Sequence, residues 1–194
     1  AVFKQTGIVR VYSYQEWVDC ASFFSKMVPM GVIPKGNRIA VVTNSGGPAA
    51  TAADLASRNG LVLPELSEET QEKLRKYVPP TGYTSNPIDY TFSINAIHFY
   101  NDVPKILSNS GEVDGIICYG AFSGAFFRHG EKGTNIAKER KLFATLSQLE
   151  DMADGILDTS RRIMKKSKVP IIYINLIGRP DKIFDVLNNK GIQV

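Results

Sequence analysis

The run "VVTNSGGPAATAADLASRNG", Val41 to Gly60, carries the residue types best suited to chemistry in this chain. An apolar strand leads into Asn44-Ser45-Gly46-Gly47-Pro48, and an alanine-rich helix comes next. Glycine lets the backbone approach a partner with no side chain in the way. A proline at the first helical position costs no hydrogen bond, because the first N–H groups of a helix have no partner inside it. Those free amides, with the helix dipole behind them, favour an anion by about 0.3–2 kcal/mol. Ala49, Ala52, Ala53 and Ala56 fall on one helical face. That face either admits a neighbouring element at short range or is how the helix lies tightly on a parallel sheet.

Two other loops leave apolar strands at their carboxyl ends, Gly120-Ala121-Phe122-Ser123-Gly124 and Leu176-Ile177-Gly178-Arg179-Pro180. Ligand crevices of open parallel sheets form at such ends. Catalytic signatures are missing: there is no GxxxxGK[ST], strand-anchored GxGxxG, CxxC, HExxH or GxSxG. His98 shares a helical pattern with Ile97, Tyr100 and Val103 and reads as structural, and His129 in "FFRHGEKG" reads as a loop residue. No catalytic residue and no metal ligand is expected, and the chain reads as a binding surface without its own nucleophile.

The elements that must position these loops are set by periodicity. Gly7 to Tyr12 reads as a short strand, and Ser13-Tyr14-Gln15-Glu16 as a capping box opening a helix through Trp17, Cys20 and Phe24. A Pro/Gly linker runs from Val28 to Asn37. From Arg38 onward strands and helices alternate: strand Arg38–Thr43, the helix of the opening run, a short strand Leu61–Pro64, and a helix from Ser67 to about Tyr77. Val78 to Thr91 is broken by prolines. A helix from about Ile94 to Leu107, strand Val113–Tyr119, a loop Gly120–Gly133, a helix from Ile136 to Lys166 and strand Pro170–Asn175 come next. A helix from Pro180 and the first residues of one more strand, Gly191–Val194, close the series. Continuous apolar strands separated by helices imply an α/β fold, a three-layer and mostly parallel sheet of flavodoxin-like type. Residues 1–35 read as the last strand-helix unit of a preceding domain plus a linker, and residues 36–194 as the flavodoxin-like domain itself.

The bulk numbers fit that reading. The chain has 194 residues, 43% apolar and 22% charged, with a net charge of +4, the profile of an ordinary globular protein. The Arg161-to-Lys166 basic run reads as a solvated helix end, so no nucleic-acid partner is expected. No apolar stretch reaches the roughly 20 residues of a membrane helix, and no signal-peptide pattern opens the chain. Cys20 and Cys118 are far apart and read as reduced thiols, so a cytoplasmic location is expected.

The segment "RIAVVTNSGGPAATAADLASRNGLVLPELSEETQEKLRKYVPP", with "SNPIDYT" after it, resembles the ADP-forming acyl-CoA synthetases, relatives of succinyl-CoA synthetase. The TN-x-GGP helix, the glycine break, the "LPELSEET" helix and NP-[IV]-D recur in that order, and "GIVRVYSYQEW" resembles the end of the family's phosphohistidine domain. The resemblance covers nearly the whole chain. It implies that acid, CoA and ATP give acyl-CoA, ADP and phosphate through a phosphorylated histidine, held between the amino ends of two helices from two flavodoxin-like domains.

On that basis Asn44, Ser45, Gly46, Gly47 and Pro48 line the phosphohistidine-loop site. The glycines supply amides, Asn44 and Ser45 side-chain donors, and Pro48 the fixed start. Gly120, Ser123 and Gly124 shape its rim. The family's His-Thr-Gly-like loop does not occur here, so the histidine is expected outside this chain. Partners would be the phosphohistidine domain, the CoA-binding domain and the ATP-grasp domain, in the same chain or a partner subunit, within an oligomer. ATP/ADP, Mg2+ and CoA are expected on those domains and no cofactor on this one. After NP-[IV]-D the family has a glycine-containing run where this chain has Tyr90-Thr91-Phe92-Ser93. A non-catalytic regulatory or assembly module, such as a synthetase-like part fused to an acetyltransferase, is the alternative. A flavodoxin or receiver-like protein is a third reading, without the phosphate loop or acidic pocket those need.

Overall fold

The computed structural model describes residues 2–91, 98–120 and 146–174. Four strands form one parallel sheet: β1 (Ile39–Thr43), β2 (Ile88–Asp89), β3 (Gly115–Tyr119) and β4 (Ile171–Ile174), in the spatial order β2-β1-β3-β4. The connecting helices are α3 (Gly46–Arg58), α4 (Glu68–Arg75), α5 (Val103–Ser110) and α6 (Leu146–Ser167), preceded by α1 (Val2–Gln5) and α2 (Tyr14–Met27). All five residues of β1 are buried, as a strand covered on both faces must be. Its side chains alternate: Ala40 and Val42 join a large core with Leu74, Leu107, Ile116, Ile163 and Tyr173, while Ile39 and Val41 pack with Ala56 on the opposite face. The three-layer α/β architecture is therefore present, with α3 alone on one face and α4, α5 and α6 on the other among the described elements.

The alanine face resolves the two readings of α3. Ala49 and Ala56 are buried, and Ala52 packs beside Ala56 against Ile39 and Val41. The small side chains seat α3 on its own sheet.

Several elements differ from expectation. Residues 7–12 form no strand; with no neighbouring strand to pair with among the described residues, they run as irregular chain with Ile8, Val9 and Tyr12 exposed. Leu61–Pro64 makes a single parallel bridge, from Val62 to Arg38. The proline-broken stretch hides β2, whose two residues pair with Val42 and Thr43. The helix expected from Ile94 is, within the described residues, one π turn (His98–Asp102) running into α5. Pro104 has no N–H to offer Tyr100, and the widened turn sits where that bond is lost. Most of the loop after Gly120, residues 136–145, the helix from Pro180 and the final strand lie outside the described residues.

The cap expected at α2 forms with one change. Ser13 Oγ accepts the Glu16 N–H at 3.1 Å, and Glu16 Oε2 accepts from the Tyr12 amide, one residue earlier than a standard box, at 2.7 Å. Met27 and Val32 are buried in the main core, so the end of α2 and the linker are anchored to the sheet.

Candidate functional site

Thr43 closes β1 and shapes the turn into α3. Its Oγ1 accepts the Ser45 N–H at 3.3 Å and donates to the Ser45 carbonyl at 3.2 Å, folding the strand into the helix within two residues. Ser45 is the N-cap of α3 in extended geometry, and its side chain makes no capping bond. Gly46 and Gly47 are the first two helical residues, both exposed. Neither amide has an acceptor inside the helix, and among the described residues no side chain takes one. Space around Gly47 is open: a Cβ built there meets nothing within 4 Å. Pro48 is the third helical residue rather than the first, a correction to the expected start. That position still belongs to the unpaired first turn, so the missing N–H costs nothing, and the tip presents two adjacent free donors.

The sheet order places this tip at a crossing point. The chain leaves β1 for β2 on one side and reaches β3 on the other, so the connections diverge above the ends of β1 and β3. Open α/β sheets bind ligands in that crevice. Asn44 spans it: its Nδ2 donates to the Gly120 carbonyl at 3.1 Å, and the Gly120 amide donates to the Ile174 carbonyl of β4 at 2.9 Å. Gly120 holds φ +79°, a left-handed conformation that favours glycine. The site and one rim residue are thus brought together. Asn44 stands corrected as an open side-chain donor, since it is 3% exposed and its amide hydrogens face the neighbouring loop. Its Oδ1 is buried with no partner among the described residues. Ser123, Gly124 and His129 lie outside the described residues.

Sequence reasoning missed Asp89. It ends β2 directly beside Thr43 in the sheet register and is 7% exposed. Its Oδ1 accepts the Thr91 N–H at 2.8 Å, while Oδ2 lies 3.4 Å from where a Cβ on Gly46 would stand. A carboxylate therefore stands beside Gly46 at the start of α3. The "NPID" run carried the signal, but a two-residue strand has no periodicity to reveal which way its aspartate points.

A second concavity, of about 610 Å³, lies beside α4 and is lined by Arg75, Lys76, Tyr77, Pro79 and His98, among others. His98 is structural here, its Nδ1 2.8 Å from Asp102 Oδ2 and its ring 5.0 Å from that of Tyr77. Cys118 is fully buried, and burial pushes its thiol far above the ordinary range, so it offers no thiolate. No group of three or more His, Cys, Asp or Glu residues among the described residues is arranged to hold a metal. No described helix is long and apolar enough to cross a membrane.

Residues 39–111 match the family of the Ligase-CoA domain. The alpha subunit of ADP-forming acetate–CoA ligase II from Pyrococcus furiosus is 36% identical over 117 residues, 60% of this chain and 24% of that protein. The ADP-forming 4-hydroxybutyrate–CoA ligase of Nitrosopumilus maritimus is 27% identical over 172 residues, 88% of this chain and 23% of that protein. The chain therefore spans about a quarter of the length of these relatives. Among solved structures, PH0766 from Pyrococcus horikoshii superposes with a TM-score of 0.69 and 26% identity, over 98% of this chain and 38% of that one. The dinucleotide-forming acetyl-coenzyme A synthetase 1 of Ca. Korarchaeum cryptofilum shares the fold, with a TM-score of 0.66 and 23% identity over 98% of this chain and 36% of that one.

Proposed function

We propose that this chain, which carries a Ligase-CoA domain, works as part of an ADP-forming acid–CoA ligase that converts acid, CoA and ATP into acyl-CoA, ADP and phosphate. Its α3 tip holds the phosphoryl group of a phosphohistidine carried on another domain. The observation behind this is the pair of free amides at exposed Gly46 and Gly47, set at the crossing point of a parallel sheet. A phosphoryl dianion gains from both donors and from the helix dipole, and the bare glycines let a neighbouring loop approach. The likeness to ADP-forming ligases supports the reaction class. Phosphoryl passes between an acyl phosphate and the imidazole, and then to ADP or from ATP. Mg2+, nucleotide and CoA belong on the other domains, and residues 1–35 pack on the phosphohistidine domain.

Gly47→Glu tests the tip. The open space accepts the side chain, and its carboxylate occupies the anion's place. A like charge about 4 Å away costs on the order of 1–4 kcal/mol, so histidine phosphorylation from ATP in the complete enzyme is expected to fall at least about fivefold. Unchanged labelling in a folded variant would falsify the assignment. The 194-residue chain alone is expected to show no acid- and CoA-dependent ATP turnover.

A further inference from the structure

We propose that the concavity of about 610 Å³ beside α4 binds a nucleoside monophosphate, its phosphate on Arg75 and Lys76 and its base against Tyr77 and His98. The concavity shares no lining residue with the α3 tip, and the proposal does not rest on the phosphohistidine reading. Its volume falls in the range of about 300–1,000 Å³ that small-molecule sites occupy. Two cations, Arg75 and Lys76, line it, and no carboxylate does among the described residues. Lys76 makes no ion pair among those residues. Arg75 is held from its own helix, with Nη1 2.8 Å from Glu68 and 3.2 Å from Glu72. Those contacts use one nitrogen of the guanidinium fork, and its other N–H groups are left for the oxygens of a ligand.

The rest of the lining suits a ring. Tyr77 and His98 stand 5.0 Å apart with their planes tilted by 59°, and Asp102 fixes the histidine through Nδ1 at 2.8 Å. Pro79 and Pro80 add stiff apolar surface. That wall is pinned to β2: the Gly82 amide donates to the Pro79 carbonyl at 2.8 Å, and Tyr83 and Asp89 exchange two backbone bonds of 3.0 Å. A Cβ on Gly82 would strike the Asp89 carbonyl and Val78, so the turn lies hard against the strand. A wall already fixed adds little ordering cost when a ligand binds. Inorganic phosphate would leave the rings in water, and a bare base would leave the two cations unused. Thr84, whose hydroxyl makes only a long 3.4 Å bond to Gln71 among the described residues, lies in the same lining for the sugar hydroxyls.

The test titrates the isotope-labelled 194-residue chain separately with AMP, ribose 5-phosphate and adenosine, and follows the Tyr77 and Gly82 amide resonances. AMP is expected to move both and to bind about tenfold more tightly than either fragment, because stacking of the base and one charge-assisted hydrogen bond are each worth about that factor. Lys76 is exposed, so Lys76→Gln leaves the fold intact. It is expected to weaken AMP several-fold and to leave adenosine unchanged. A fragment that binds as tightly as AMP, or an AMP affinity unaltered in Lys76→Gln, would overturn the proposal. So would shifts confined to Gly46 and Gly47, which would place the phosphate at the α3 tip and leave the phosphohistidine reading standing.

Discussion

Asn44 shows how a side chain's chemistry and its placement separate. As a residue type beside two glycines it reads as a donor for a ligand. The structure buries it and spends its amide hydrogens on the Gly120 carbonyl, so it fixes the spacing of two loops. Burial of that kind depends on β3 arriving alongside β1, a contact between residues 76 positions apart, and no local pattern records it. Gly46 and Gly47 needed no such context, because an exposed glycine pair at a helix start advertises itself. Asn44→Ala is expected to lower stability by about 1–3 kcal/mol, the cost of leaving the Gly120 carbonyl unsatisfied. Asn44→Asp should cost more, since it sets a carboxylate against that carbonyl in a dry site. Urea denaturation of the two variants gives the order, and an aspartate variant as stable as the native chain would contradict it.

At the scale of elements, two side chains complete what short strands leave open. β2 pairs only with Val42 and Thr43. Ahead of it Asn86 stands in for a strand: its Oδ1 accepts from Val41 N–H at 3.0 Å and its Nδ2 donates to the carbonyls of Ile39 and Pro64, at 2.8 and 3.2 Å. The long apolar strands and amphipathic helices were legible in the sequence because periodicity is local. β2 was not, being too short to show a period and supported by an asparagine in place of backbone. Glu112 does comparable work for α4. Ser67 donates to it through both its amide and its hydroxyl, each at 2.8 Å, and the Thr70 hydroxyl donates as well. Burial pushes the Glu112 carboxyl up, but these hydrogen bonds outweigh it and leave the group below the ordinary glutamate range. The folded chain therefore binds fewer protons at this site than the unfolded chain. The stabilisation is complete above the ordinary value of about 4.3 and fades as pH falls through the folded one. Glu112→Gln is expected to cost about 1 kcal/mol at pH 7, the low end for charge-assisted bonds because the site is partly solvated. The difference from the native chain should shrink below about pH 4; a gap that stays constant across that range would remove Glu112 as its source.

For the molecule as a whole, the uneven covering of the amino-terminal region matters most. The last turn of α2 is built into the core through Met27, with Phe23 packed beside it, yet Tyr14 and Trp17 on the same helix are 77% and 57% exposed. Ile8 and Val9, in the irregular run before it, are also open to solvent. On the proposed reading this apolar surface is covered by the phosphohistidine domain, whose loop also reaches the α3 tip. Trp17 is the sole tryptophan in the chain, so its fluorescence reports on this face alone. In the 194-residue chain it should emit as a hydrated indole and be quenched readily by iodide. With the proposed phosphohistidine domain present, on the same chain or a partner subunit, the emission is expected to shift to the blue and quenching to fall several-fold, once other tryptophans are replaced by phenylalanine. Equal quenching in both forms would mean that this face stays wet. The histidine would then have to reach Gly46 and Gly47 from another side of the sheet.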